Sequence, residues 1–299
     1  MMYCAIVHSG GAAMQSRGAR NTGRNVIICL ILVIASAIAI VTGIYDMIAM
    51  GHETGSTAAR IGFGAVIFFL SLILGLNFLW GYRIIARLEA GETKFAGWTV
   101  SPADYDRFRE IDGNFVSKGS RENDYRPLRT SPPGGVQVLF SQDGVLIGDR
   151  YFGLASTGLN HFSDVAMIRS TTPMIEFGMV TTTGSSTNTV RFRRIHSTLR
   201  VPVSSDATHA AERVLGHYQA VQRHEVIVRP GFWKSRIRFG LIGTGLASAC
   251  AAIGFLLRER NDELYNIPLF MAVAGTIVAI AGLFLAGMSR SFDPARRRR

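Results

Sequence analysis

The side chains best suited to metal chemistry in this chain are two histidines and a glutamate near residue 210. His209 and Glu212 are three residues apart, and His217 follows five residues later. The paired imidazoles of an HExxH helix lie one turn apart, whereas His209 and His217 are separated by eight residues. We therefore expect surface or boundary histidines, and we predict no metal and no cofactor.

The carboxylates near residue 105 have the residue type needed for acid–base catalysis. Asp104, Asp106 and Glu110 alternate with Arg107 and Arg109. Opposite charges three or four residues apart on a helix form surface pairs. A solvated, charge-paired helix face is therefore the favoured interpretation of this stretch.

Motifs that position a nucleophile or a phosphate are absent from the sequence. It contains no GxSxG elbow, no Walker loop and no GxGxxG fingerprint. We therefore predict a protein that is not an enzyme. An enzyme, the least supported alternative, would have to assemble its site from scattered side chains, of which the best are His161, His196, His209 and Asp164.

Four apolar runs, in two pairs near the two ends of the chain, must position the polar segment between them. They cover residues 25–50, 61–82, 237–257 and 267–288. Each is close to the ~20 residues that an α-helix needs to cross the hydrocarbon core of a bilayer. We predict an α+β membrane protein in which four transmembrane helices form two hairpins that flank a polar central domain.

The formal net charge of +11 and the isoelectric point near 10.2 would suit nucleic acid, but most of the basic excess flanks the apolar runs. The positive-inside rule places such flanks in the cytoplasm. We therefore predict a multi-pass protein of the bacterial inner membrane with both termini and the central domain in the cytoplasm, and no nucleic-acid partner. The basic residues that set this orientation are Arg17, Arg20, Arg24, Arg83, Arg87, Lys94, Lys234, Arg236, Arg238, Arg290 and residues 296–299.

Small residues recur at four-residue spacing within the apolar runs, which favours close helix packing. No ionisable side chain lies near the midpoint of a run, which weakens the case for a transport pathway. Asn77 is the deepest strong hydrogen-bonding group, and a role between helices is the favoured interpretation. The predicted packing residues are Ala35, Ala39, Gly43, Asn77, Gly243, Ala247, Ala251, Gly275 and Ala279.

The patterns divide the chain into six segments. They are a disordered tail at 1–24, in which Met14 is an alternative initiator, a first hairpin with a helical extension at 25–90, and a short helix (102–112) with a linker at 91–135. A β domain follows at 136–225, then a second hairpin at 226–289 and a basic tail at 290–299. Within the β domain we expect strands at 136–140, 145–149, 151–155, 164–170, 174–183, 187–195 and 199–203, closed by an amphipathic helix at 205–222.

This order of strands and helix resembles the pleckstrin-homology-like (PH-like) fold, and more narrowly the bacterial membrane-anchored domains of the YcxB-like kind. The residues that carry the resemblance are 138–152, 162–168 and 199–203. The resemblance implies a bent antiparallel sheet closed at one end by the C-terminal helix. Phosphoinositide-binding PH domains use basic residues around their first hairpin loop, where this chain has Ser141, Gln142 and Asp143, so binding in that mode is not expected.

Four later arginines are the remaining candidates for contact with anionic lipid or a partner, namely Arg191, Arg193, Arg194 and Arg200. A solvated outer sheet face is the favoured alternative. The predicted function is a scaffold, sensor or regulatory subunit whose PH-like domain binds a protein or the inner leaflet. Membrane lipids, and a protein partner or a second copy of the chain, are the expected partners. The alternative is an oligomeric channel, transporter subunit or pore-forming effector gated by the domain.

Overall fold

The computed structural model describes residues 19–51, 54–117, 121–187, 189–228, 232–258 and 266–291. Side chains are described throughout these ranges except at 116, 184–187, 189–192, 232, 257, 258, 266–271 and 288. The fold is α+β, with four long apolar helices and two antiparallel sheets. Among the described residues it forms two compact units, unit 1 (19–154 and 163–217) and unit 2 (155–162 and 218–291).

The first helical hairpin belongs to unit 1 and consists of α1 (Thr22–Met50) and α2 (Gly55–Glu89). Thr54 and Thr57 form a capping box that satisfies backbone N–H groups at the start of α2. The predicted helical extension is present, since α2 continues to Glu89 and Gly91 follows with a positive φ of 84°. Both helices are long and apolar enough to cross a membrane.

The second helical hairpin belongs to unit 2 and consists of α5 (Phe232–Arg258) and α6 (Asn266–Ser291). Both helices contain an apolar stretch long enough to cross a membrane. The prediction of four such helices in two pairs is therefore confirmed by length and composition. Between the hairpins in sequence lie α3 (Pro102–Ser117) and α4 (Thr208–Gln222), the latter preceded by one 3-10 turn at Ser205–Ala207.

The first sheet, sheet A, has four strands in sequential antiparallel order. They are β1 (Ala96–Val100), β2 (Val136–Ser141), β3 (Gly144–Ile147) and β4 (Arg150–Gly153). Gln142 and Asp143 join β2 to β3, at the Asp-Gly turn that the sequence predicts. Alternation along β2 puts Val138 and Phe140 on one face and Leu139 on the other, and all three are buried. Sheet A is therefore covered on both faces.

The second sheet, sheet B, contains β5 (Asn160–Ile168), β6 (Met174–Thr187) and β7 (Thr189–Pro202). β6 and β7 pair along their whole length, from Met174 opposite Pro202 to Thr187 opposite Thr189. β7 is one continuous strand, although the sequence pattern indicates two. The register with β6 is unbroken at Thr198, which lies opposite Gly178, and the backbone of Thr198 bonds on its other side to Glu122 and Asp124. The interruption expected near residue 197 therefore does not form.

Three segments differ from the sequence prediction. β1 is a strand where none is predicted, because the residues of β2 that it pairs with lie 36 or more residues away in the chain. The expected linker at 117–135 contains packed residues, since Asn123, Asp124 and Tyr125 are buried. In the expected disordered tail, Ala19 forms a bridge with Tyr151 of β4. Residues 1–18 and 292–299 lie outside the described residues.

Candidate functional site

The histidines and carboxylates considered for chemistry are placed on surfaces or in simple local pairs. The side chain of His209 is fully exposed and lies 3.7 Å from Glu212. His217 Nε2 lies 3.1 Å from the carbonyl oxygen of Gln142, and its ring contacts that of Phe95. Within the described ranges, no group of three or more His, Cys, Asp or Glu side chains could hold a metal ion.

The carboxylates of α3 form the expected local ion pairs. Arg107 lies 3.6 Å from Asp104, and Arg109 lies 2.9 Å from Asp106. Glu110 is also exposed. These contacts describe a solvated helix face.

The remaining catalytic candidates lie in separate local settings. His161 Nδ1 lies 3.1 Å from the carbonyl oxygen of Gly158, and His196 is exposed. Asp164 accepts a short hydrogen bond from the neighbouring Ser163 hydroxyl. None of these contacts joins two of the candidates to each other.

The most concentrated polar chemistry in unit 1 surrounds Arg200, which is only 1% exposed. Its Nε lies 2.6 Å from Glu176 and its Nη1 lies 2.9 Å from Asp112. Nη2 donates to the carbonyl oxygen of Arg121 at 3.1 Å, and the guanidinium lies 4.8 Å from the ring centre of Phe115. The Arg200 cluster, defined by these five residues, joins α3, the 121–125 segment, β6 and β7.

Asn123 links the backbone to this cluster. Its Oδ1 accepts hydrogen bonds from the backbone N–H groups of Arg200 and Tyr125, each at 3.0 Å, and its Nδ2 donates to Asp112 at 3.1 Å. The segment also adds a parallel bridge to β7, where Asp124 N donates to the Thr198 carbonyl oxygen at 2.7 Å. A segment with the composition of a linker is thus held to the sheet edge.

The cluster corrects the expectation that Arg200 belongs to an exposed basic group. Its position in β7 is opposite Glu176 of β6, so its side chain meets a carboxylate across the ladder. Sequence reasoning missed Asp112, Asn123 and Glu176 altogether. One signal was available, because Asp112 interrupts a helical stripe formed by Tyr105, Phe108 and Phe115.

Two tyrosines make a second buried polar contact beside α3. The hydroxyl groups of Tyr105 and Tyr125 lie 2.7 Å apart, and Tyr105 also accepts a hydrogen bond from Leu128 N at 2.8 Å. Burial raises the pKa of both phenols above the usual value, because the charged form is poorly solvated there. Both groups are therefore neutral hydrogen-bonding groups at physiological pH.

Arg193 and Arg194 do lie on the surface. β5 has nine residues, whereas β6 and β7 have fourteen each, so the β6–β7 ladder continues past β5. We call residues 181–187 and 189–195 the basic ribbon. Arg193 pairs with Thr183 and Arg194 with Thr182 across it, and both arginine side chains are exposed. For Arg191 the structure describes the backbone, which is opposite Ser185.

Several of the predicted packing residues contact the other helix of their own hairpin. A Cβ atom at Gly43 would lie 2.8 Å from Ile61, and one at Gly275 would lie 2.7 Å from the carbonyl oxygen of Ala247. Ala251 is buried at the same contact as Gly275. Ala35 is exposed, whereas Ala39, Asn77, Gly243 and Ala279 are half-buried.

The first hairpin is attached to sheet A at both of its ends. At the end of α2, Leu88 is fully buried in a cluster with Leu139, Leu146 and Tyr151, and Ile84 and Ile85 pack against it. Before α1, Ala19 exchanges two backbone hydrogen bonds with Tyr151 of β4, at 2.8 and 3.1 Å. Arg20 adds an exposed ion pair with Asp149 at 2.6 Å. Hairpin 1 and sheet A thus share one hydrophobic core.

Comparison of this chain with protein-family models, with curated proteins and with solved structures finds no match.

Proposed function

We propose that this chain is a non-enzymatic, multi-pass protein of the inner membrane that presents a PH-like domain at the cytoplasmic leaflet. There the domain binds a protein partner or the leaflet itself, as a scaffold, sensor or regulatory subunit. The observation that carries the proposal is the continuity of α2, which runs without interruption from an apolar stretch into the core beneath sheet A.

The length of α2 supports this placement. Its 35 residues correspond to about 52 Å at 1.5 Å per residue, roughly 20 Å more than the hydrocarbon core of a bilayer. The additional turns end at Leu88, which is buried against sheet A. A domain attached in this way stays beside the bilayer surface.

The surface of the long helices supports insertion into lipid. Large apolar side chains project from both hairpins, including Ile48 and Phe63, which are more than 70% exposed, and Leu246 and Phe284. Such a surface is unfavourable in water and suited to hydrocarbon.

The charge at the end of α2 supports the orientation. Arg83, Arg87 and Lys94 are exposed on the side of hairpin 1 that leads into sheet A. The positive-inside rule assigns that side to the cytoplasm.

The strand order supports the PH-like assignment. A four-stranded antiparallel sheet and a three-stranded sheet followed by helix α4 match the seven strands and one helix of the resemblance in number, although β1 precedes the predicted domain and β7 replaces two predicted strands. The helix α3 between β1 and β2 is an addition to that order. The buried Arg200 is used entirely in contacts that fasten α3 and the 121–125 segment to sheet B, which suits a binding module better than an enzyme.

A gated channel or pore is the second candidate. It is favoured by the attachment of hairpin 1 to sheet A at both ends, since a displacement of the sheet would move α1 and α2 together. Purified full-length protein in liposomes tests it. The binding proposal predicts no ion flux under any applied voltage, and a reproducible conductance would replace it with the channel.

Cysteine accessibility tests the proposed topology. Ser56→Cys near the start of α2 and Ser117→Cys at the end of α3 replace exposed hydroxyls by thiols of similar size, in a chain whose native cysteines are serine. A membrane-impermeant maleimide applied to intact cells should label Cys at 56 and should label Cys at 117 only after the inner membrane is permeabilised. The reverse pattern would contradict the orientation.

Photo-crosslinking in native membranes tests the binding function. A benzophenone amino acid at the exposed positions Gln137, Arg169 or Arg193 should give a reproducible adduct with one protein species or with phospholipid. The same amino acid at Ser56 provides the control on the other side of the membrane. If the three domain positions give no adducts beyond those seen at Ser56, the proposed function fails.

A further inference from the structure

The basic ribbon projects from sheet B. Ser163 of β5 donates a hydrogen bond to the carbonyl oxygen of Gly178 at 3.2 Å, which fixes the relative position of β5 and β6. From these residues β5 extends three residues back to Asn160, whereas β6 continues nine residues to Thr187. Among the described strands, the last residues of β6 therefore pair with β7 only, and the two form a two-stranded ribbon.

All the charged residues of the basic ribbon are positive. No Asp or Glu occurs in residues 177–199, whereas Arg191, Arg193 and Arg194 do. Adjacent residues of a strand point to opposite faces, and Arg193 and Arg194 are both exposed. Among the described residues, no carboxylate forms an ion pair with either of these two guanidiniums. Both faces of the ribbon therefore carry a cation toward solvent.

The guanidiniums of the basic ribbon suit phosphate. Arg193 is opposite Thr183, and Arg194 is opposite Thr182. The Thr183 hydroxyl donates to the carbonyl oxygen of Arg193 at 3.4 Å, so the donors for a phosphate are the two guanidiniums, whose planar groups bind phosphate oxygens in pairs. A ribbon with cations on both faces can enter a layer of head groups edge-on. A flat protein surface would meet only one of those faces.

The attachment of unit 1 to hairpin 1 decides between phosphate on a membrane and phosphate on a soluble partner. The ribbon and α2 belong to the same compact unit, so insertion of hairpin 1 holds the ribbon at high effective concentration near the leaflet. The cytoplasmic leaflet carries anionic lipids. A membrane therefore fits the ribbon better than an acidic protein.

We propose that the basic ribbon binds the head groups of anionic phospholipids through Arg193 and Arg194. This inference rests on the proposed function, because it requires unit 1 to lie at the membrane. It differs from head-group binding at the first hairpin loop, where Gln142 and Asp143 supply no cation. The ribbon binds through charge and phosphate, so its binding weakens as salt rises.

Hydrogen exchange of the full-length protein in nanodiscs tests the inference. One set of discs contains phosphatidylcholine alone, and the other contains equal parts of phosphatidylcholine and phosphatidylglycerol. Exchange in the basic ribbon should be slower in the anionic discs, with no such difference in β2 or β3. Each cation near an anionic leaflet contributes about 1 kcal/mol, or about fivefold in association. Arg193→Glu combined with Arg194→Glu should therefore weaken binding of the ribbon to the leaflet by at least about 25-fold and abolish the slower hydrogen exchange.

Arg213→Glu, a charge reversal at an exposed position on α4, is the matched control and should retain the slower exchange. Equal exchange of the ribbon in the two kinds of disc overturns the inference, as does slowing that persists in the Arg193 and Arg194 double variant. Failure of the protein to enter discs of either composition would instead overturn the proposed function, so the two failures are distinguishable.

Discussion

Replacing Arg200 with methionine tests whether the Arg200 cluster holds α3 and the 121–125 segment in place. Methionine keeps much of the side-chain volume but leaves Asp112, 8% exposed, without its cation. Breaking a buried ion pair from one side costs about 3–5 kcal/mol. Glu176 is 27% exposed and regains water, so the lower end applies, and we expect about 3 kcal/mol.

Hydrogen exchange of the full-length protein in detergent micelles measures this effect locally. The reporters are the amide protons of Asp124 and Thr198, which bond to the carbonyl oxygens of Thr198 and Glu122 at 2.7 and 3.1 Å. A loss of about 3 kcal/mol speeds exchange through local opening on the order of a hundredfold. Arg194→Met, an exposed change in the same strand, should alter the opening free energy by less than about 0.5 kcal/mol.

A double-mutant cycle separates the ion pair from other effects of the substitution. Arg200→Met leaves the carboxylate of Asp112 without its cation, and Asp112→Leu removes that carboxylate. The two changes together should therefore lower the free energy of unfolding by clearly less than the sum of the single changes. We expect a coupling free energy of about 2 kcal/mol or more between these buried charges. Additive single effects, or a loss below about 1 kcal/mol for Arg200→Met, would refute the reasoning and place the pair among weak surface contacts.

Three further predictions concern other contacts. Gly275→Leu should destabilise hairpin 2 by about 1–3 kcal/mol through overpacking, because a Cβ atom there would lie 2.7 Å from a backbone oxygen of α5. Gly245→Leu should not destabilise it, because a Cβ atom at Gly245 would have no neighbour within 4 Å, and unfolding in mixed micelles compares the two variants. Leu88→Ala should cost about 2–5 kcal/mol by opening a cavity and should speed exchange in β2 and β3, whereas Leu72→Ala on the exposed face of α2 should do neither. Burial raises the pKa of the Tyr125 phenol, so the unfolded chain loses the phenol proton at lower pH than the folded chain, and stability should fall above about pH 10. In a pH series of unfolding curves, Tyr125→Phe should make this alkaline decline shallower, and an unchanged slope would contradict the role of Tyr125.

Features with a local signal could be predicted from the sequence. The four long helices follow from uninterrupted apolar length, and the β2–β3 hairpin follows from Asp143 and Gly144 at its turn. The helical extension of α2 to Glu89 follows from Ile84, Ile85 and Leu88, which share one face. In each case the residues that predict the element belong to the element itself or to its adjoining turn.

Features that depend on distant pairing could not be predicted in the same way. β1 pairs Trp98 with Val138, and its five residues are too few to establish a period of their own. Arg200 meets Asp112 across 88 residues of chain. The charge of Arg200 is the same as that of Arg193, and only the register of β7 against β6 and the position of α3 decide that one is buried and the other is exposed.

The two attachments of hairpin 1 to sheet A limit how the two can move relative to each other. If only Leu88 of α2 joined sheet A, the sheet could turn about one helix end while α1 stayed in place. The backbone bonds between Ala19 and Tyr151 fix the other end of the hairpin to β4 of the same sheet. A rotation of sheet A therefore moves the start of α1 and the end of α2 together, and the close contacts at Gly43 and Gly64 hold the two helices against each other. Under the proposed function, binding would therefore move hairpin 1 as a rigid body, because sliding of α1 past α2 would break the contacts at Gly43 and Gly64.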